Sequence, residues 1–89
     1  MLYPGIACNA AKGGNMDVLE MLKTLHVDLQ IPDINGNTPL HLAARYNQWI
    51  AAKYLLDHDV DSNMVNEEGR TPLDEAIIQG NEFIAKSLI

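Results

Sequence analysis

The chain has 89 residues, 47% of them apolar, with twelve acidic against six basic side chains and a formal charge of −6. That length suits one compact domain, that composition argues against disorder, and the acidic balance offers no basic stripe for nucleic acid. A single cysteine, Cys8, excludes an intrachain disulfide and a multi-thiolate zinc site, and no apolar run approaches membrane-spanning length.

The first stretch, "MLYPGIACNAAKGG", carries no basic leader before an apolar run, so a cytoplasmic setting is the expectation. Its Ala10-Ala11 pair and the Gly13-Gly14 turn precede "MDVLEMLKTL", whose apolar spacing predicts a helix over 16–25. Gly13-Gly14 invites a phosphate-loop reading, but neither a GxxxxGK[ST] nor a GxGxxG pattern surrounds it. "VDLQIPDING" then reads as an extended finger with a tight turn.

The middle stretch opens on "GNTPLHLAARYNQ". Thr38 is a helix N-cap and Pro39 occupies the first helical position, where its missing N–H costs nothing. Asn47 stops that helix, and "WIAAKYLLDH" predicts a second one over 49–58. A second finger, "VDSNMVNEEG", leads to "GRTPLDEAIIQGN", again a Thr-Pro start at Thr71, closed at Gly80. "EFIAKSLI", 82–89, is the last predicted helix.

Everything after the middle stretch repeats it. Gly36 and Gly69, Thr38 and Thr71, Pro39 and Pro72, Leu40 and Leu73, Ala43 and Ala76, and Leu55 and Leu88 are all thirty-three residues apart. The same step backwards takes Ala43-Ala44 onto Ala10-Ala11 and Leu55 onto Leu22, although "PGIAC" stands where "NTPLH" would be. A period of that length signals stacked supersecondary units that cannot persist alone. The units run about 1–32, 33–65 and 66–89 within one domain spanning 1–89, the outer two atypical.

On these residues the chain resembles the ankyrin-repeat family, over nearly its whole length: "G-x-TPLHxAA", the Leu55-Leu56 pair and the Asp-x-Asn of "VDSN" carry the likeness. "ACNAAKGGNMDVLEML" and "TPLDEAIIQGN" also resemble the ankyrin segments at the ends of some glutaminases and asparaginases. The resemblance implies an all-α solenoid of stacked helix-turn-helix pairs with β-hairpin-like finger loops. It also implies that His41 bonds to Thr38 and to the turn, tying finger to helix.

Three features suggest chemistry. His41 beside Thr38 could serve as a base or a metal ligand, yet no nucleophile motif or HExxH spacing accompanies it. Asp57, Asp59, Asp61, Asn63 and Glu68 nearly reproduce a calcium loop, but Ser62 stands where that loop needs glycine and Pro72 breaks the exit helix. Cys8 matches His41 by period and reads as a buried thiol. Ala43, Ala44 and Ala76 predict close helix approach; Leu40, Leu42, Leu55, Leu56, Leu73 and Leu88 read as core, and Trp49 as core or rim.

The expected function is therefore protein binding without catalysis, cofactor, metal, nucleic acid or membrane. Carried from the family onto this chain, the partner-binding positions are the finger-tip residues Ile34, Asn35, Asn37, Glu67, Glu68 and Arg70. The inner-helix positions are Lys12, Arg45, Tyr46, Ile78 and Gln79. A second expectation is a regulatory or oligomerisation appendage of a larger enzyme or channel, with weak self-association through the C-terminal unit, whose apolar Leu88-Ile89 lacks a polar cap. Calcium binding ranks third.

Overall fold

A computed structural model describes residues 5–89; residues 1–4, which begin the first predicted unit, lie outside the described residues. Among the described residues there are six helices and no strand: α1 (Ile6–Gly13), α2 (Met16–Thr24), α3 (Pro39–Arg45), α4 (Trp49–Asp57), α5 (Pro72–Gln79) and α6 (Glu82–Leu88). None is long and apolar enough to cross a membrane. Each helix has nine residues or fewer, too short to hold in water by itself, so stacking has to supply the stability.

The helix starts are chemical. Thr38 Oγ1 accepts from the His41 N–H at 3.3 Å while His41 Nδ1 accepts from the Thr38 N–H at 3.1 Å, a reciprocal cap. Thr71 and Asp74 make the same pair at 3.2 and 3.0 Å. In the first unit Gly5 stands in place of threonine, and α1 begins with no side-chain cap. Gly14, Asn47 and Gly80 all adopt left-handed backbone, with φ of 67°, 57° and 75°, and reverse the chain between the two helices of each pair.

Helices α1, α3 and α5 form an inner row, with α3 packed against both neighbours; α2, α4 and α6 form an outer row, each against its own inner helix. Alanine makes the inner row possible. Ala11, Ala43, Ala44 and Ala76 are fully buried, so backbones approach where a larger side chain would hold them apart. Leu19, Leu22, Leu40, Leu55 and Ile84 fill the space between the rows, each worth roughly 1.5–3 kcal/mol of burial. Of the other predicted core leucines, Leu42 is buried, whereas Leu56, Leu73 and Leu88 are only half-buried.

Side-chain amides bolt successive units together. Gln48 donates through Nε2 to the Lys12 carbonyl at 3.1 Å. Asn81, thirty-three residues on, donates through Nδ2 to the Ala44 carbonyl at 2.7 Å. Both carbonyls sit at the end of an inner helix, where intrahelical partners run out.

Candidate functional site

The fingers are turns rather than strands. Asp33 donates its N–H to the Asn37 carbonyl at 2.8 Å, and its Oδ1 accepts from the N–H groups of Asn35 (2.8 Å) and Asn37 (2.9 Å). Asn66 repeats the pattern: its N–H reaches the Arg70 carbonyl at 3.0 Å, and its Oδ1 accepts from Glu68 and Arg70, both at 3.0 Å. The two fingers are joined by the Glu67 N–H, which donates to the Asn35 carbonyl at 3.1 Å. A tip braced from inside in this way displays its outward side chains at little further entropic cost.

On the tips, Ile34 is 89% exposed, and Asn35, Glu67 and Glu68 are also exposed. Asn37 is not. The expectation that it faces outward is corrected: it is buried, with its Oδ1 accepting from Asn66 Nδ2 at 2.8 Å. The cause is that a buried amide needs a partner, and the adjacent finger supplies one.

Arg45 is corrected in the same sense. Its guanidinium turns into the stack and grips Glu75 on α5, with Nε to Oε1 at 3.2 Å and Nη2 to Oε2 at 2.8 Å. Glu75 is fully buried, and its carboxylate also accepts from Asn66 Nδ2 at 2.9 Å. The Arg45 hydrogen bonds hold the Glu75 carboxyl below its ordinary value against the opposing cost of burial. Arg45 Nη2 is 3.9 Å from Glu68, which in turn pairs with Arg70 at 3.3 Å. Glu75 was missed because it replaces Leu42 by period, and a carboxylate at a leucine position is the signal that could have found it.

Lys12 and Tyr46 are brought together: the ammonium lies 4.9 Å from the ring centroid, and Tyr46 stays exposed at the C-terminal end of α3. Ile78 and Gln79 are exposed at the end of α5. The inner-helix and finger surface thus offers Ile34, Tyr46 and Ile78 as apolar groups, with Lys12 and Glu67 as charges beyond the Arg45–Glu75 network.

His41 has no capacity left for chemistry. Its ring is fully buried; Nδ1 accepts from the Thr38 N–H, so the proton sits on Nε2, which donates to the Arg70 carbonyl at 2.8 Å. Burial pushes its pKa below the ordinary 6.5, which keeps the ring neutral. The family likeness had it tying its own finger to the helix; the longer reach is to the finger of the next unit. Cys8 does the same one unit earlier, its Sγ donating to the Asn37 carbonyl at 3.3 Å, and burial raises that thiol to about 11.

The carboxylates of the calcium-loop pattern do not converge. Asp57 pairs with Lys53 at 3.5 Å, Asp61 Oδ1 caps the Asn63 N–H at 2.8 Å, and Glu68 belongs to the Arg70 pair. Among the described residues no three His, Cys, Asp or Glu side chains gather to hold an ion.

Comparison with known proteins agrees with this architecture. Residues 7–89 match the family model for ankyrin repeats in three copies. An L-asparaginase of Dirofilaria immitis is 34% identical over 90 residues, 98% of this chain and 15% of its own length. A putative ankyrin repeat protein of fowlpox virus is 32% identical over 80 residues, 90% of this chain and 18% of its own. The potassium channel SKOR of Arabidopsis thaliana is 37% identical over 81 residues, 91% of this chain and 10% of its own. The chain therefore spans only a small part of each of these relatives. It belongs to the ankyrin-repeat family.

Proposed function

We propose that this ankyrin-repeat chain is a single non-catalytic protein-binding domain of three units, 1–32, 33–65 and 66–89, acting in the cytoplasm. A partner protein would lie across the finger and inner-helix face, the concave side of such a stack. Ile34 carries the reading: an aliphatic side chain left 89% in water on a turn braced by Asp33 contributes nothing to the core and is ready to be covered. Tyr46, with Lys12 over its ring, and Ile78 supply further contact area; Asn35, Glu67, Glu68, Arg70 and Gln79 form the polar rim. Asn37 and Arg45 hold that face in shape from beneath.

The test is affinity capture with the chain and with an Ile34→Ser, Tyr46→Ala variant. Ile34 is almost wholly solvated and Tyr46 is exposed at the end of α3, so the helical circular dichroism should hold and the urea midpoint should change little. Loss of captured protein with the fold intact is the expected outcome; undiminished capture would remove the assignment.

A second reading is favoured by the relatives. An L-asparaginase and a potassium channel each contain a stretch similar to this chain as a minor part of their length. The chain would then serve as a regulatory or oligomerisation appendage of a larger enzyme or channel, self-associating weakly through the last unit, where Ile89 is exposed. Light scattering across concentration decides it: a mass that stays monomeric throughout removes the self-association.

A further inference from the structure

Asn35 is the only asparagine of the chain followed directly by glycine, and it is exposed at the tip of the first finger. Asparagine is thermolabile because the backbone nitrogen of the next residue can attack its side-chain amide carbon and close a five-membered imide ring. A Cβ on that next residue hinders the approach, and glycine has none. The corresponding pair in the second finger is Glu68-Gly69, where an ionised carboxylate resists the same attack.

The fold opposes the reaction at three atoms. The Gly36 N–H, whose nitrogen has to attack, donates to the Asp33 carbonyl at 3.0 Å. The Asn35 carbonyl, in the same peptide group, accepts from the Glu67 N–H of the adjacent finger at 3.1 Å. On the other side of Asn35, its N–H donates to Asp33 Oδ1 at 2.8 Å. Ring closure requires rotation about Asn35, and these bonds hold the peptide groups that would have to turn.

We propose that Asn35-Gly36 is a self-modifying site, held in check by the hydrogen bonds of its finger and released when the finger opens. The Gly36 nitrogen loses its proton to hydroxide and bonds to Asn35 Cγ. The Cγ–Nδ2 bond then breaks, and ammonia leaves with a proton taken from water. Water next opens the imide at either carbonyl, so the whole reaction consumes one water and releases one ammonia. Opening at Cγ gives aspartate with the main chain as before. Opening at the main-chain carbonyl gives isoaspartate: the chain then runs through Cγ, one methylene longer, and the oxygen that accepted from the Glu67 N–H belongs to a pendant carboxylate. Both products add a negative charge at the tip, but only isoaspartate breaks the joint between the fingers. The loss of docking that would follow rests on the function proposed above; the modification and its restraint do not.

The experiment incubates the chain at pH 8, folded and in guanidinium chloride, and maps its peptides by mass spectrometry. A gain of about one dalton should appear at Asn35 ahead of every other asparagine. Its rate should be at least about tenfold lower in the folded chain than in denaturant. Asp33→Ala removes the brace and should raise the folded rate by about threefold or more, with circular dichroism checking the fold. Asp33→Asn, which offers the acceptor that Asn66 uses in the second finger, should leave the rate within about twofold. In the purified isoaspartate form the Glu67 amide should exchange at least about tenfold faster, and in Asn35→Asp within about twofold of the original chain. The denaturant comparison and the isoaspartate form involve no change at Asp33, so they decide the matter even where Asp33→Ala fails to fold. Conversion first at another asparagine, equal rates folded and denatured, an Asp33→Asn rate as high as that of Asp33→Ala, or unchanged Glu67 exchange in the isoaspartate form would each overturn the proposal. None of these readouts involves a partner, so failure of the docking reading leaves them standing.

Discussion

Arg45 and Glu75, thirty residues apart, form a two-pronged ion pair that joins α3 to α5 with its carboxylate wholly inside the protein. The carboxylate stands where Leu42, a buried apolar side chain, stands one unit earlier. Removing one partner leaves the other without compensation, whereas removing both does not.

Arg45→Ala should therefore cost about 3 kcal/mol in urea unfolding, at the low end for a buried pair because Arg45 keeps a quarter of its side chain in solvent. Adding Glu75→Leu should recover most of that loss. Asn66 Nδ2 would keep its bond to Asn37 Oδ1 but lose Glu75 Oε2 as acceptor for its second hydrogen, so the recovery should stop short of the full stability. A double variant as unstable as Arg45→Ala alone would show that the charge pair is not the cause.

Acid should weaken the stack in two stages. His41 titrates at 6.5 when unfolded and lower when folded, because burial and the Thr38 N–H oppose a second ring proton. The unfolded chain then binds more protons as pH falls, so stability present above 6.5 declines below it until the folded ring is protonated. Of the groups facing the ring, the Arg70 carbonyl, Glu75 and Asp33 favour its protonation and Arg45 opposes it, and burial, the largest influence, keeps the value low. Glu75 adds a second loss, beginning near its unfolded value of 4.5 and completed at its lower folded value. Thermal midpoints measured from pH 8 to pH 4 should fall in both windows, and His41→Gln should flatten the upper one. An unchanged upper slope in that variant would remove His41 as its source.

What was legible beforehand is what local chemistry fixes. The Thr-Pro starts at Thr38 and Thr71, the stops at Gly14, Asn47 and Gly80, and the alanines of the inner row each act within a few residues, and each is where the sequence indicates. The helix ends fell within a residue of the expected 25, 58 and 89. What escaped depends on which neighbour a side chain meets. Asn37 and Arg45 look outward when one unit is considered alone; only the next unit, bringing Asn66 and Glu75, turns them in.

Cys8 should report on opening of the first unit. The thiol is buried, its pKa is raised to about 11 chiefly by burial, and its Sγ is held to the Asn37 carbonyl. Iodoacetamide at pH 8 should modify the folded chain far more slowly than the chain in denaturant, because little thiolate forms and access requires local unfolding. Arg45→Ala loosens the second junction rather than the first. If it speeds Cys8 labelling, the units open together; if it does not, the first unit opens on its own. Equal labelling of folded and denatured protein would contradict the burial.

Gly36 and Gly69 provide a matched comparison. Both hold left-handed backbone, φ 76° and 75°, at the same place in successive fingers, so alanine at either should cost about 1–2 kcal/mol from conformation alone. Their surroundings differ. A Cβ at Gly69 meets nothing within 4 Å, whereas one at Gly36 comes to 3.0 Å from the Glu67 nitrogen and 3.3 Å from the Asn66 Cα. Those are backbone atoms of the adjacent finger, and the Glu67 N–H is the one that donates to Asn35. Gly36→Ala must therefore push the fingers apart, and its loss in urea unfolding should exceed that of Gly69→Ala by about 1 kcal/mol or more. The Glu67 amide should also exchange faster in the Gly36 variant alone. Equal losses at the two glycines would mean that the fingers are not held at the spacing the Glu67–Asn35 bond implies.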